Sequence, residues 1–90
     1  MRYVWDEQKN ALLKQTRHIS FEQVVLAIEE RKVADVLDHP NQEKYKGQFF
    51  ILTEVNGYIY VTPAELTAEG YFLKTIYPSR KYTQKYLRKD

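Results

Sequence analysis

The sequence predicts an α+β domain in which helices are segregated from an antiparallel sheet of about four strands. Two observations predict this class. Apolar residues recur at helical spacing in the first third, and β-branched and aromatic runs alternate with turn residues in the second half. The expected order is two N-terminal helices, the strands and a C-terminal basic helix. The chain has 90 residues, 43 % hydrophobic and 29 % charged, so we expect a single globular domain over residues 1–90.

The first helix is expected over residues 8–17, after a short apolar-rich segment at 2–5 that we interpret as a brief strand. Asp6 suits the N-cap position, because its carboxylate can accept hydrogen bonds from free backbone amides. The buried stripe of this helix is expected to consist of Ala11, Leu12 and Leu13. His18 and Ile19 then form a corner, where capping or packing is the expected role of His18.

The second helix is expected to begin at Ser20, which has capping-box spacing with Gln23. Its apolar residues recur at i, i+3, i+4 and i+7, the spacing of one helical face. These residues are Phe21, Val24, Val25 and Ile28. The helix is expected to end near Arg31, because basic residues stabilise the negative end of the helix dipole. We expect the two early helices to cover one face of the sheet.

Four later segments have the composition of strands. They cover residues 33–37, 48–55, 58–61 and 71–77. The Asn56-Gly57 pair between the second and third segments predicts a two-residue hairpin turn, because both positions require positive φ. Pro63 is expected to end the third strand or to place it at a bulge, since proline lacks a backbone donor. The last helix is expected at an edge or at the end of the sheet.

The C-terminal segment concentrates the positive charge. Residues 74–90 hold six basic residues and one acid, whereas the first 73 residues hold eight basic residues and eleven acids. Pro78 fixes its own φ, and Ser79 suits the N-cap of a helix that begins at Arg80. Basic residues beside tyrosines favour a polyanion with stackable bases, either RNA or single-stranded DNA. The alternative is a solvated helix that pins its tyrosines to the core.

The composition argues against several classes of protein. The chain has no cysteine, so it has no disulfide, no thiolate metal site and no cysteine nucleophile. Three glycines are too few for a phosphate-binding glycine loop, and two histidines without clustered acids argue against a metal site. We expect no cofactor. No apolar run approaches the roughly 20 residues of a membrane span, and the start lacks an apolar signal region, so we expect a cytoplasmic protein.

Both ends of the chain carry a family pattern. The opening pattern is a Trp-Asp pair, a Lys-Asn pair, a basic residue before a His corner, and an Ile-Ser-Phe-Glu run. It is formed by Trp5, Asp6, Lys9, Asn10, Arg17, His18, Ile19, Ser20, Phe21 and Glu22. The closing pattern, a turn before a basic helix, is formed by Pro78, Ser79, Arg80, Lys81 and Thr83. With the His-Pro-Asn-Gln segment at 39–42, these patterns resemble BrnT-type toxins over nearly the whole chain.

The resemblance implies a RelE-like fold and the toxin of a type II toxin–antitoxin pair. Such toxins cleave RNA, arrest growth and are held inactive by a partner antitoxin, whose other part binds DNA. A dimer or a toxin–antitoxin hetero-oligomer is the assembly expected of such a protein. The sequence departs from the family at two positions. The acid after the hairpin, Glu65, is displaced by about one residue, and Tyr86 stands where many relatives carry an acid.

RNA cleavage without a metal uses the 2′-hydroxyl of the substrate as nucleophile, so the site must stabilise a negatively charged phosphorane. Arg80 is the best sequence candidate for this role, because its guanidinium matches phosphate oxygens in geometry and keeps its proton. The alternative is an arginine that pairs with a carbonyl at the end of the sheet. Lys74 and Lys81 are expected to flank the same phosphate, although Lys74 could equally extend from the sheet face into solvent.

The candidates for proton transfer are His39, His18, Glu65 and the tyrosines, among them Tyr82. Histidine titrates nearest neutrality, and Tyr82 could donate a proton, stack on a base or anchor the core. The remaining expected RNA contacts are Lys85, Arg88, Lys89 and Tyr86. Two alternative functions stay open at this point. One is a non-catalytic module that binds RNA or only an antitoxin, and the other is a structural partner whose basic helix neutralises an acidic protein.

Overall fold

The structure is a computed structural model that describes residues 1–88. Its elements in chain order are β1 (Tyr3–Val4), α1 (Glu7–Arg17), α2 (Phe21–Glu29), β2 (Val33–Asp38), β3 (Gln48–Val55), β4 (Tyr58–Thr67), β5 (Gly70–Leu73), β6 (Tyr77–Pro78) and α3 (Arg80–Leu87). This order confirms the predicted α+β class, with two early helices and one final helix. Within residues 1–88, no helix is long and apolar enough to cross a membrane.

The sheet is mixed rather than antiparallel. Its strand order is β1-β5-β4-β3-β2, and β6 pairs with β4 on the edge that β5 also uses. The prediction of about four antiparallel strands was wrong in two respects: β1 pairs in parallel with β5, and the last expected strand is divided into β5 and β6. The parallel pair joins segments at opposite ends of the chain, so no turn between them could reveal it.

Gly70 allows β1 to reach β5. Its φ is +130°, and a Cβ atom at this position would lie 2.5 Å from the carbonyl oxygen of Arg2. The next residue, Tyr71, donates its N–H to the same oxygen at 2.9 Å. Any side chain at position 70 would therefore separate the two backbones that form the parallel pair.

Pro63 lies inside β4, although the sequence predicted a strand end or a bulge there. Its carbonyl accepts a hydrogen bond from the Lys74 N–H at 2.8 Å, on the edge of β4 where the chain passes from β5 to β6. The missing N–H of proline faces the same edge, so the pairing of β4 with β3 loses no hydrogen bond. The predicted hairpin turn is confirmed, with φ of 54° at Asn56 and 76° at Gly57.

The predicted helix caps are confirmed. Asp6 accepts hydrogen bonds from two N–H groups in the first turn of α1, and Ser20 forms the full capping box of α2. His18 is the C-cap of α1, with a φ of 56° that belongs to the left-handed region. The second helix ends at Glu29, slightly before the expected Arg31.

The buried face of α1 differs from the predicted stripe. Ala11 is exposed and Leu12 is 50 % exposed, whereas Leu13 is buried as expected. The other buried residue of this helix is Asn10, with 1 % of its surface exposed. A polar residue replaces the expected apolar ones because it is hydrogen-bonded on both ends of its amide.

Asn10 joins α1 to the first turn of α2. Its side-chain oxygen accepts a hydrogen bond from the Phe21 N–H at 2.9 Å, and its amide nitrogen donates to the Glu22 carboxylate at 2.8 Å. The hydrogen bond from Asn10 lowers the pKa of Glu22. One buried amide therefore links the two helices.

The sheet separates two apolar clusters. Helices α1 and α2 cover the first face, over a core of Leu13, Ile19, Phe21, Val24, Ala27, Ile51, Val55, Ala64, Leu73 and Ile76. On the second face, the tyrosines of α3 pack against Leu52, Ile59 and Val61. Helix α3 therefore lies against the second face, at the end of the sheet where β4 begins. Residues that alternate along β3 and β4 make both faces apolar, so both need a covering helix.

Asn10→Ala is expected to lower the free energy of unfolding by about 1–3 kcal/mol, because the buried Phe21 N–H loses its acceptor. Urea denaturation of the purified protein measures this change. Gln15→Ala is the matched control, since Gln15 is exposed on the same helix, and it should change stability by less than about 0.5 kcal/mol. Equal effects of the two substitutions would contradict the role given to Asn10.

Candidate nucleic-acid interface

The position of α3 on the second face is set by two hydroxyl groups. The Thr83 hydroxyl, in a residue only 1 % exposed, accepts a hydrogen bond from the Ile59 N–H at 2.9 Å and donates to the Ser79 carbonyl at 2.7 Å. The Tyr86 hydroxyl donates to the Asp35 carboxylate at 2.7 Å. These contacts lead α3 from the start of β4 across to β2, and they leave the other end of this face without a helix above it.

The uncovered end of the second face is built from residues in register on neighbouring strands. Glu65 pairs with Gln48 on one side and with Phe72 on the other, and the His39 N–H donates to the Gln48 carbonyl at 3.0 Å. We call this surface the platform. It consists of His39, Gln48, Phe50, Pro63, Glu65 and Phe72, with Lys74 at its edge. All of these residues are half-buried.

Lys74 and Glu65 meet at the edge of the platform. The Lys74 Nζ lies 3.9 Å from the Glu65 Oε1, and both side chains are 37 % exposed. Lys74 follows the end of β5 instead of lying within a longer strand as the sequence predicted. The ammonium can hold a phosphate oxygen, and the carboxylate beside it can accept a proton.

His39 lies on the opposite side of the platform. Its ring stacks on Tyr45 with a centroid distance of 4.3 Å and tilts against Phe50 at 4.9 Å. Its Nδ1 accepts a hydrogen bond from the Asn41 N–H at 3.0 Å, which assigns the proton of the neutral ring to Nε2. His39 and Glu65 are separated by two strand spacings, about 10 Å. His39 therefore offers an N–H donor to a ligand on the platform.

The buried side of α3 determines where its cations point. From Thr83, the side chains of Tyr82 and Tyr86 extend toward the platform end of the face. Lys81 and Lys85 lie beside them, and each Nζ is 5.3 Å from the ring centroid of the tyrosine that follows it. The tyrosine side of α3 therefore carries two exposed lysines, each near an aromatic ring.

Arg80 lies on the other flank of α3, about 100° around the helix from Lys81. The N–H groups of Ser79 and Lys74 donate to carbonyls that are four residues apart on β4. That separation is about 13 Å along the strand. The structure therefore brings Lys74 together with Glu65. Lys81 and Arg80 belong to a helix that begins about four residues away along β4, with Lys81 on the tyrosine side and Arg80 on the other side.

The remaining residues that were predicted to contact RNA differ in whether they are exposed or are bonded within the protein. Lys85 is exposed, and Arg88 is the exposed C-cap residue of α3. Lys89 lies outside the described residues. The hydrogen bond between Tyr86 and Asp35 raises the pKa of the tyrosine hydroxyl and lowers the pKa of the carboxyl. Tyr86 therefore anchors the helix to the sheet.

Sequence reasoning missed four residues of this region: Asp35, Gln48, Phe50 and Phe72. The hairpin turn contained a signal for one of them. A two-residue turn at Asn56-Gly57 sets the register of the strands, and counting outward from it places Gln48 opposite Glu65. No local signal could have found Asp35, because it meets Tyr86 only after α3 has docked.

The platform is an open surface rather than an enclosed pocket. A cavity of about 490 Å³ lies on the first face of the sheet, away from these residues. Among residues 1–88, no three or more His, Cys, Asp or Glu side chains are grouped so that they could hold a metal ion. The platform itself presents an ammonium, a carboxylate and an imidazole, which are groups that bind anions and move protons.

Comparisons of this chain with models of known protein families, with curated proteins and with solved structures found no match. The RelE-like arrangement and the likeness to BrnT-type toxins therefore stay predictions from the sequence.

Tyr86→Phe is expected to lower stability at neutral pH but not in acid. The hydrogen bond from Tyr86 lowers the pKa of Asp35 in the folded state. Its contribution is therefore present above the unfolded-state pKa, about 3.9, and is lost as the pH falls through the folded-state value. Unfolding free energies of the native chain and Tyr86→Phe should differ near pH 7 and converge as the pH falls below the lowered pKa of Asp35.

Tyr82→Phe is the matched control for this experiment, because no hydrogen bond of the Tyr82 hydroxyl is found within the described part of the chain. Its effect on unfolding should not change over the same pH range. A difference between the native chain and Tyr86→Phe that stayed constant down to the lowest pH would disprove the proposed linkage to Asp35.

Proposed function

We propose that this chain is the toxin of a type II toxin–antitoxin system, with a RelE-like arrangement, and that it acts as a metal-independent endoribonuclease. The observation that carries the proposal is the Lys74–Glu65 pair at the edge of an open platform that also holds the imidazole of His39. Such a set can bind a phosphodiester, accept a proton and donate a hydrogen bond. The sequence resemblance at both ends of the chain supports the same proposal.

RNA binding is supported by the distribution of aromatic rings and cations. Phe50 and Phe72 are half-buried on the platform, where their rings can stack on unpaired bases. Lys81 and Lys85 are exposed beside the tyrosines of α3, where they can attract the phosphate backbone. A single strand would thus lie across the platform with its bases on the sheet and its phosphates toward the helix.

Each reactive group of the platform has one role in the proposed cleavage. Glu65 accepts the proton of the 2′-hydroxyl, whose oxygen forms a bond to phosphorus while the bond from phosphorus to the 5′-oxygen breaks. Lys74 stabilises the negative charge on the phosphorane oxygens, and the Nε2–H of His39 hydrogen-bonds the departing oxygen. That oxygen takes a proton from solvent, to which Glu65 returns the one it accepted. The products are a 2′,3′-cyclic phosphate and a 5′-hydroxyl.

The distance between the two sides of the platform suits this reaction. An in-line displacement places the attacking and leaving oxygens on opposite sides of phosphorus. The separation of about 10 Å between the backbones of Glu65 and His39 leaves room for one phosphodiester between their side chains. Lys74 takes the role that the sequence assigned to Arg80, and Arg80 contributes positive potential to the approach of RNA.

A second candidate is a non-catalytic module of the same fold that binds RNA or only an antitoxin. Two observations favour it. Tyr86, which stands where many relatives carry an acid, is engaged with Asp35 in holding the helix. Arg80 lies on the flank of α3 that does not border the platform. In this alternative, Glu65 neutralises Lys74 and the platform holds RNA without cleaving it.

The proposal also includes a cognate antitoxin that keeps the toxin inactive in the cytoplasm. A toxin–antitoxin hetero-oligomer, with or without a dimer of this chain, is the assembly we propose. Release of the antitoxin would expose the platform to cellular RNA and arrest growth.

Lys74→Ala is expected to lower the rate of RNA cleavage by about 10²- to 10³-fold, which is typical for loss of one group that stabilises charge in a transition state. Arg80→Ala removes the same charge from the outer flank of α3, and it should lower the rate by less than about tenfold. Cleavage of a fluorescent single-stranded RNA by the purified variants measures both rates. Growth after expression of each variant provides a second readout.

The outcomes separate the two candidate functions. Equal losses for Lys74→Ala and Arg80→Ala would show that the platform is not the place of reaction. Native protein that binds the RNA but never cleaves it, and does not arrest growth, would replace the enzyme with the binding module. Native protein that neither binds nor cleaves RNA would remove the enzyme and the RNA-binding module, and would leave only the module that binds an antitoxin.

Phe72→Ala is expected to weaken binding of single-stranded RNA by about 1–3 kcal/mol, the usual effect of losing one stacked aromatic ring. Tyr71→Ala is the matched control, because the side chain of Tyr71 points to the first face. Fluorescence anisotropy with a short labelled RNA measures both affinities, after circular dichroism has shown that both variants are folded. Equal losses in the two variants would mean that RNA does not stack on the platform.

A further inference from the structure

The first face of the sheet carries an apolar groove of about 490 Å³ that α1 and α2 leave uncovered. Ile28 of α2 forms one wall, and Phe49 and Tyr71 lie on its floor. This volume is in the range of protein sites that enclose a ligand or a partner's side chains. The groove is on the face opposite to the platform, because Phe49 and Tyr71 each precede a platform residue on their strand.

The apolar surface extends beyond the groove. Leu66 is 67 % exposed and Val36 is 54 % exposed, and both line it. Together with the groove, these two side chains form one continuous exposed apolar patch. Patches of this kind mark places where another molecule packs.

The groove combines aromatic rings with one carboxylate group. Tyr3 and Tyr71 stand with ring centroids 5.9 Å apart, and Phe49 meets Tyr71 edge-on at 6.0 Å. Asp38 is the only lining residue with a charged side chain in the described part of the chain. Burial, followed by the charges of Tyr71 and Glu29, raises the pKa of Tyr3. Aromatic faces beside a carboxylate attract a cation.

The groove is long enough to hold a helix. The lining residues come from β1, β5, β4, β3 and β2, so the groove crosses the whole width of the sheet. Five strands span about 19 Å, which is the length of about 13 residues of α-helix. A helix in this position would pack beside α2 and complete the cover of the first face.

We propose that this groove binds a basic amphipathic helix of a partner protein. Apolar residues of that helix fill the floor at Phe49 and cover Leu66, and a lysine or arginine lies over the Tyr3 and Tyr71 rings within reach of Asp38. The proposal depends only on this groove and not on the proposed RNA site, because the two surfaces lie on opposite faces of the sheet.

The basic helix α3 of a second copy is not free to fill the groove. That helix already packs its tyrosines on its own sheet and is held there by the bond from the Ile59 N–H to Thr83. The sides of α3 that remain exposed carry Arg80, Lys81 and Lys85 rather than an apolar stripe. The occupant that we propose is a different protein with an apolar helix face and basic flanks, and association of two copies of this chain is an outcome that the test below detects.

The test uses two synthetic helical peptides of about 15 residues with the same leucine stripe. One has lysines and the other has glutamates at the flanking positions. Fluorescence anisotropy with the native chain should show that the lysine peptide binds at least about tenfold more tightly. Asp38→Asn should abolish most of that preference, and Leu66→Ser should weaken binding of both peptides. Both substitutions are at exposed positions, so the variants are expected to fold.

The controls distinguish this proposal from the RNA proposal. Lys74→Ala should leave peptide binding unchanged, and Asp38→Asn should leave RNA binding unchanged. Equal binding of the two peptides, or an unchanged preference in Asp38→Asn, would overturn the basic helix as occupant. Dimerisation of the native chain in analytical ultracentrifugation that Leu66→Ser abolishes would also overturn it, because a second copy would then cover the groove.

Discussion

The surfaces that this domain exposes depend on the hydrogen bonds made by the backbone N–H and carbonyl groups of one residue of β4. At Ile59, beyond the end of β6, the carbonyl accepts the Ser79 N–H at 2.9 Å and the N–H donates to the Thr83 hydroxyl at 2.9 Å. The cap and first turn of α3 thus supply the two hydrogen bonds that another strand would have supplied. Moving the helix would leave a buried N–H unpaired, at a cost of about 1–3 kcal/mol. The extent of the platform follows from this constraint.

The same end of the sheet projects beyond the helices on both of its faces. Because side chains alternate along a strand, neighbours in sequence serve opposite surfaces. Phe49 and Tyr71 form the floor of the groove, while Phe50 and Phe72 belong to the platform. The only charged side chain among the described residues that line the groove is an aspartate, whereas Lys74 lies at the edge of the platform. One layer of backbone therefore separates a surface suited to cations from one suited to polyanions.

Local chemistry made much of this fold predictable. The caps at Asp6, Ser20 and Ser79 and the Asn56-Gly57 turn depend on hydrogen bonds or dihedral angles within a few residues, and each appears as predicted. The parallel pairing of β1 and the burial of Asn10 could not be predicted, because both need a partner that only tertiary packing provides. For the candidate site, the sequence indicated the residue types but not the helix flank on which Arg80 lies.

That last difference matters because electrostatic effects depend steeply on distance. Two unit charges interact by about 4 kcal/mol at 4 Å but only about 1.3 kcal/mol at 13 Å with an effective dielectric constant of 20. Salt screens exposed charges further beyond about 8–10 Å. A cation at the edge of the platform can thus stabilise charge that develops on one phosphate, whereas a cation on the far flank of α3 can only attract the polyanion as a whole. Lys74 and Arg80 contribute equally to the net charge of the chain. The packing of α3 determines how far each cation lies from a phosphate on the platform.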